Sequence, residues 1–270
     1  YHWLFITNRL TSYRATCLLM KSKQYLLDED PSMFSKKLSK IYAAFFLTIA
    51  LCHSFADDHS GKLDYSELHY FNVTNPMGFI GALDKHYASE CAEKWQGQSG
   101  ANVSLWQISG SDVSHMIYVG YTGYEQMEIG RDLFSSCPET AEMLATISKM
   151  TNPGDYHNVI VEGVISLNQP SGIQKFYTKF DVNIDSGMES KYVQAWLNLM
   201  EAQGDQLQDS HYGINRIPFG NGFSTHYVYF SGDNLSKLMD NVKSTLSSRQ
   251  YAAFVRTVGK FRQLTNTTLL

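Results

Sequence analysis

One order of strand and helix patterns occurs twice along the chain, and this repetition limits the fold more than any other feature. Aromatic and β-branched runs at 68–73 (LHYFNV), 103–108 (VSLWQI), 115–121 (HMIYVGY) and 158–167 (NVIVEGVISL) read as strands. Between them, Phe79, Ile80, Leu83, Tyr87 and Cys91 recur at three- and four-residue spacing, predicting a helix over 79–95. Two more helices are predicted at 125–134 and 138–150, with Pro138 suited to a first turn. The order β-α-β-β-α-β then recurs. Strands are predicted at 176–184, 212–217, 226–230 and 265–270, and helices at 190–202, 234–246 and 249–261. Single residues follow the same period. His115, Tyr118, Ala141, Thr146 and Lys149 align with His226, Tyr229, Ala252, Thr257 and Lys260, 111 positions on. Phe71 and Val73 align with Phe180 and Val182, 109 positions on.

Each half reads as a split β-α-β pair, the ferredoxin-like arrangement. In 103–108 and 115–121 both alternating sets of side chains are largely apolar or aromatic. A sheet of that kind needs cover on both faces. Helices cover one face, and the other half, laid sheet to sheet, covers the second. The expected fold is therefore α+β, with repeats at 68–170 and 171–270 enclosing a cavity. This order of elements, with breaks after the third strand of each half at 135–139 and 247–251, resembles the dimeric α/β-barrel superfamily, which includes antibiotic-biosynthesis-type monooxygenases. Its members commonly build the barrel from two subunits. The resemblance implies that here one chain supplies both halves as an intrachain α/β-barrel. Members include oxygenases, isomerases, haem-handling proteins and proteins without known activity, so the fold does not choose a function.

The segment ahead of the repeats reads as an export signal. Residues 1–32 show no period and are taken as an upstream leader. Within 33–56, Lys36, Lys37 and Lys40 precede the apolar run IYAAFFLTIAL, and Ser54 and Ala56 suit a cut after Ala56. That run is shorter than the ~20 residues a spanning helix needs. A buried helix or an uncleaved anchor is the alternative. Residues 57–67 are a polar leader. The expectation is a periplasmic or secreted protein with no stable membrane span after cleavage. A formal net charge of −4 gives no basic face for nucleic acid. Nothing in the pattern sets an oligomeric state.

Of four cysteines, Cys17 and Cys52 precede the cut. In a ferredoxin-like half the two helices run antiparallel, which places Cys91 and Cys137 at neighbouring ends. An oxidising compartment would join them as a disulfide. Two buried free thiols are the alternative.

No nucleophile elbow, zinc-protease helix, phosphate loop or dinucleotide fingerprint is present. The histidines at 69, 86, 115, 157, 211 and 226 form no tight metal spacing, so neither metal nor cofactor is expected. His115 and His226 open the third strand of each half, with Tyr118 and Tyr229 three residues on. They are the candidates for proton transfer at the cavity mouths; hydrogen bonding at a strand end is the plain alternative. Trp106, Asn215 and Arg216 are candidates for lining the cavity. Arg216 between Ile214 and Ile217 calls for a carboxylate or an anionic ligand, and Glu162 could simply pair with it. The leading expectation is a barrel that binds a small, partly apolar molecule between its repeats. The rivals are a cofactor-independent enzyme, monooxygenase-like or isomerase-like, and a non-catalytic structural or interaction module.

Overall fold

The computed structural model describes residues 65–168, 174–220 and 224–270. The upstream leader read at 1–32 and the export signal read at 33–56 lie outside them, as does most of the polar leader read at 57–67; its last three residues, Tyr65 to Glu67, instead open a strand. The first half runs β1 (Tyr65–Phe71), α1 (Pro76–Tyr87), α2 (Glu90–Ser99), β2 (Asn102–Gln107), β3 (His115–Tyr121), α3 (Tyr124–Ser135), α4 (Pro138–Ile147) and β4 (His157–Leu167). The second runs β5 (Phe176–Ile184), α5 (Glu189–Glu201), β6 (Tyr212–Phe219), β7 (His226–Gly232), α6 (Leu235–Ser247), α7 (Arg249–Val258) and β8 (Arg262–Leu269).

The single helix expected at 79–95 is two helices. Ser89 Oγ accepts from the Ala92 amide and donates to the His86 carbonyl, ending one helix and capping the next. Ser248 does the same between α6 and α7, accepting from the Tyr251 amide at 3.0 Å. Strand β6 also runs on through Pro218 to Phe219, beyond the end expected at 217. Cys91, in the first turn of α2, and Cys137, just before α4, form the expected disulfide with Cα atoms 6.2 Å apart. No helix among the described residues is long and apolar enough to cross a membrane.

All eight strands form one antiparallel sheet in the order β2-β3-β1-β4-β6-β7-β5-β8. Each half contributes four strands in ferredoxin-like order. The two-repeat α+β barrel is thus the architecture of the molecule, with one difference from the sheet-to-sheet packing expected. The halves join edge to edge, β4 to β6, because a four-stranded half leaves the outer edge of β4 with unpaired backbone. Register shifts in β4 between Ile160 and Glu162 and between Gly163 and Ile165 bend the sheet there. The outermost strands then approach each other. Ser109 and Leu269 exchange both backbone hydrogen bonds, at 2.8 and 3.0 Å.

Alternation decides which side chains face the helices. In the second half Val182, Ile184, Ile214 and Val228 pack with Trp196, Leu238, Phe254 and Val258 of the helix layer. In the first, Phe71 packs with Phe79, Met143 and Ile147. The opposite face of the sheet carries Leu68, Tyr70, Met116, Val159, Val161 and Tyr227 into a separate inner cluster.

Candidate functional site

The inner face turns polar along β5. Its sequence FYTKFDVNI sends Phe180, Val182 and Ile184 to the helices and Tyr177, Lys179 and Asp181 to the barrel interior. Lys179 pairs with Asp181, and their side chains are only 9% and 10% exposed. The ammonium lies 4.8 Å from the ring centroid of Tyr227 and 6.0 Å from that of Tyr70, which comes from the other half. Burial opposes charge on Lys179, yet Tyr70 and Asp181 together raise its pKa above the ordinary lysine value. Burial likewise pushes the Tyr70 and Tyr227 phenols upwards. Asn215 Nδ2 donates to Tyr227 Oη at 2.6 Å.

A second group gathers at the end of the barrel where β6 begins. His211 Nε2 lies 2.7 Å from Ser166 Oγ and 2.9 Å from Tyr229 Oη. Two hydroxyls converging on one ring nitrogen suit the tautomer in which Nε2 is the acceptor. The His211 amide donates to Ser231 Oγ, which donates to Gln174 Oε1, at 3.0 and 2.8 Å. Burial pushes the His211 pKa down, so the ring is a neutral base near neutral pH. Rings extend the group across the interior. Tyr229 meets His211 at 5.1 Å and Tyr177 at 6.2 Å, and Tyr177 meets Trp106 at 5.0 Å between centroids. Gly213 makes room for Tyr229. A Cβ there would stand 2.6 Å from the phenol oxygen and against the Ile165 carbonyl.

The candidates named from sequence divide between the two faces. Trp106, Tyr118, Asn215 and Tyr229 face inwards. His115 and His226 do not. They stand in register opposite Phe71 and Val182, both helix-facing residues. The His115 ring lies 6.1 Å from Phe79, and its Nδ1 lies 2.8 Å from Ser114 Oγ. His226 Nδ1 lies 2.9 Å from Thr225 Oγ1. Burial lowers the pKa of both. Residues three apart on a strand occupy opposite faces, so neither His meets the Tyr that follows it in sequence. Arg216 is also on the outer face and pairs with Glu162, whose second oxygen accepts from Tyr124 at 2.5 Å. Sequence reasoning missed Lys179, Asp181, Tyr177 and His211. The available signal was the alternation of polar and apolar residues in 176–184.

No family model matches the sequence, and no curated protein does. Solved structures do match. A protein of Fusobacterium nucleatum, provisionally named a monooxygenase, aligns with a TM-score of 0.53 at 10% identity, over 76% of this chain and 92% of its own. One of Lactobacillus acidophilus, named likewise, aligns with a TM-score of 0.50 at 7% identity, over 77% and 94%. Chlorite dismutase of Candidatus Nitrospira defluvii, in complex with imidazole, aligns with a TM-score of 0.50 at 10% identity, over 77% and 91%. At such identities the likeness is one of fold. The described chain has the fold of the dimeric α/β-barrel superfamily, with both ferredoxin-like halves carried on one polypeptide.

Proposed function

We propose that this protein binds a small, partly apolar, aromatic molecule with an ionisable hydroxyl at the end of the barrel framed by Trp106, Tyr177, His211 and Tyr229. The observation that carries this reading is the meeting of Tyr229 and Ser166 on His211 Nε2. It joins a neutral base to a phenol beside stacking rings, in the interior of a barrel. The rings would hold an aromatic body by edge and face contacts. The phenol of Tyr229 would receive the ligand's hydroxyl proton as it passes its own to His211. The buried Lys179 ammonium would favour an anionic ligand within its reach. Export is part of the proposal. The Cys91–Cys137 pair suits an oxidising compartment.

The names of two structural neighbours favour a second reading, a cofactor-independent monooxygenase-like enzyme. The ligand, once deprotonated at an activated CH2 carbon, would react with O2. One oxygen would become the new carbonyl and the other would leave as water with the two hydrogens. One experiment separates these readings. Purified protein is titrated with a series of phenols and hydroxylated polycyclic aromatics while fluorescence quenching and oxygen uptake are followed. Binding without oxygen uptake supports the binder. Uptake that falls at least about a hundredfold in His211→Ala and Tyr229→Phe supports the enzyme. Absence of binding across the series, with both variants folded, would remove both.

A further inference from the structure

A second cluster of reactive side chains lies outside the barrel, in the helix layer of the first half. The ligand atoms of His86, Cys91 and Cys137 lie within 4.8 Å of one another. His86 closes α1, Cys91 opens α2, and Cys137 directly precedes α4, so three helix ends meet here. His86 and Cys137 are buried, and Cys91 is half-buried. The exposed Glu139 contributes a carboxylate oxygen 3.2 Å from Cys137 Sγ. The His86 ring is held on two sides. Its Nε2 lies 2.9 Å from Thr140 Oγ1, itself buried, and its edge packs on Phe134 at 5.5 Å.

One nitrogen and two sulfurs are gathered here, with a carboxylate beside one of the sulfurs, and together they could supply the four ligands of a tetrahedral zinc centre. Zinc–sulfur bonds of about 2.3 Å and zinc–nitrogen bonds of about 2.0 Å put neighbouring donors roughly 3.5–3.8 Å apart. The nitrogen and the two sulfurs lie within 4.8 Å of one another, and side-chain rotations after reduction, with Glu139 turning in from the surface, would bring the four to that spacing. Binding through Nδ1 would leave the Nε2 contact with Thr140 as the anchor that fixes a metal-ligating ring's tautomer and direction. In the oxidised protein the sulfurs are spent on each other, and no such site exists.

We propose that reduction of the Cys91–Cys137 disulfide converts this cluster into a Zn2+ site, with His86, both thiolates and Glu139 as ligands. The reductant is a dithiol. It delivers two electrons and two protons to the cystine, giving two thiols, and is itself oxidised to a disulfide. Zinc binding then expels the two thiol protons. The disulfide joins two of these helix ends and the metal would join all three, so the first half would stay clamped in either redox state.

The test uses Co2+ as a visible probe and Zn2+ as its competitor. The protein is reduced anaerobically, cleared of reductant and titrated with Co2+. The expected result is a thiolate-to-cobalt charge-transfer band with the d–d absorption of a tetrahedral ion, both lost when Zn2+ is added. The disulfide form should show neither. His86→Ala should weaken binding at least tenfold, and Thr140→Val should do so by about tenfold through loss of the anchor. Reduced, folded protein that gives no thiolate band overturns the proposal, as does binding that His86→Ala leaves unchanged. If the reduced chain unfolds without metal, recovery of its circular dichroism on adding Zn2+ supports the site, and failure to recover overturns it.

Discussion

The Lys179–Asp181 pair allows a quantitative test of how the barrel interior is organised. Asp181→Asn keeps the size of the side chain and removes the charge that offsets Lys179. Both members are about nine-tenths buried. Removing one partner of such a pair leaves an uncompensated buried charge, at a cost of about 3–5 kcal/mol. For a folded body of this size that lowers Tm by roughly 6–20 °C. Replacing both, as Lys179→Met with Asp181→Leu, removes the charge and its cost together, and the double variant should recover most or all of the loss. Urea unfolding followed by tryptophan fluorescence, run as a double-mutant cycle, measures both numbers. The pH dependence adds a signature. In the wild type the Lys179 pKa is raised, so its contribution is full below the unfolded-state value and is lost as pH rises through the folded one. In Asp181→Asn the carboxylate's share of that rise is lost while burial still opposes the charge, so the pKa falls relative to wild type and the deficit should shrink as pH rises towards about 10, where a lysine can shed its proton. A loss below about 1 kcal/mol, or a double variant less stable than Asp181→Asn, would refute the buried-pair account.

Three further outcomes follow from the same contacts. His86, His115, His211 and His226 all have pKa values depressed by burial, so their contribution is full above about pH 6.5 and is lost as pH falls through the lower folded values. Melting curves between pH 7.5 and about 5 should show this decline, and His226→Gln should flatten it; a flat wild-type profile would contradict it. Reducing the disulfide in the presence of a chelator should cost about 4 kcal/mol in the chain-entropy model, since it closes a 46-residue separation. Mass measurement with and without reductant checks that the bond is present. Gly213→Ala should displace Tyr229 from His211, because the new methyl meets the phenol and the Ile165 carbonyl. The expected readout is a loss of stability of roughly 1–3 kcal/mol together with weakened ligand binding.

The sequence revealed the fold and concealed much of the site, for one physical reason. Periodicity places strands, helices and their order, and a repeat then limits the ways in which they assemble. Strands 115–121 and 176–184 were placed to the residue. Their faces are a different matter. His115 and Tyr118 look like a couple when read along the chain, yet the pleat of β3 sends one to the helices and the other to the interior. Which face is interior depends on how the halves join, and that is settled by β4 pairing with β6 across a bulged register. Lys179 and Asp181 carry a legible alternation, but in a sequence it also describes an exposed strand face. His211 lies just outside a strand, where no period reaches. The break at Ser89 was missed because the three- and four-residue spacing of apolar residues runs on from α1 into α2.

The two halves share a backbone plan but have diverged where they face each other. Strand register makes Leu68 equivalent to Lys179, Tyr70 to Asp181, Met116 to Tyr227 and Trp106 to Asn215. In each of these pairs the more polar or ionisable member belongs to the second half, and Asn215 donates to Tyr227 there. A barrel that kept its twofold symmetry would present two equal mouths and bind two equal ligands. This one presents His211, Ser166 and Tyr229 at one end and apolar Leu68, Met116 and Val159 in the first-half interior. Calorimetric titration with a bound phenol should therefore give one site per chain. Tyr177→Leu, which keeps an apolar side chain but removes the ring, should weaken that site by about tenfold or more through loss of ring contacts with Trp106 and Tyr229. Two equal sites, or binding indifferent to Tyr177→Leu, would mean that the divergence of the halves serves packing alone.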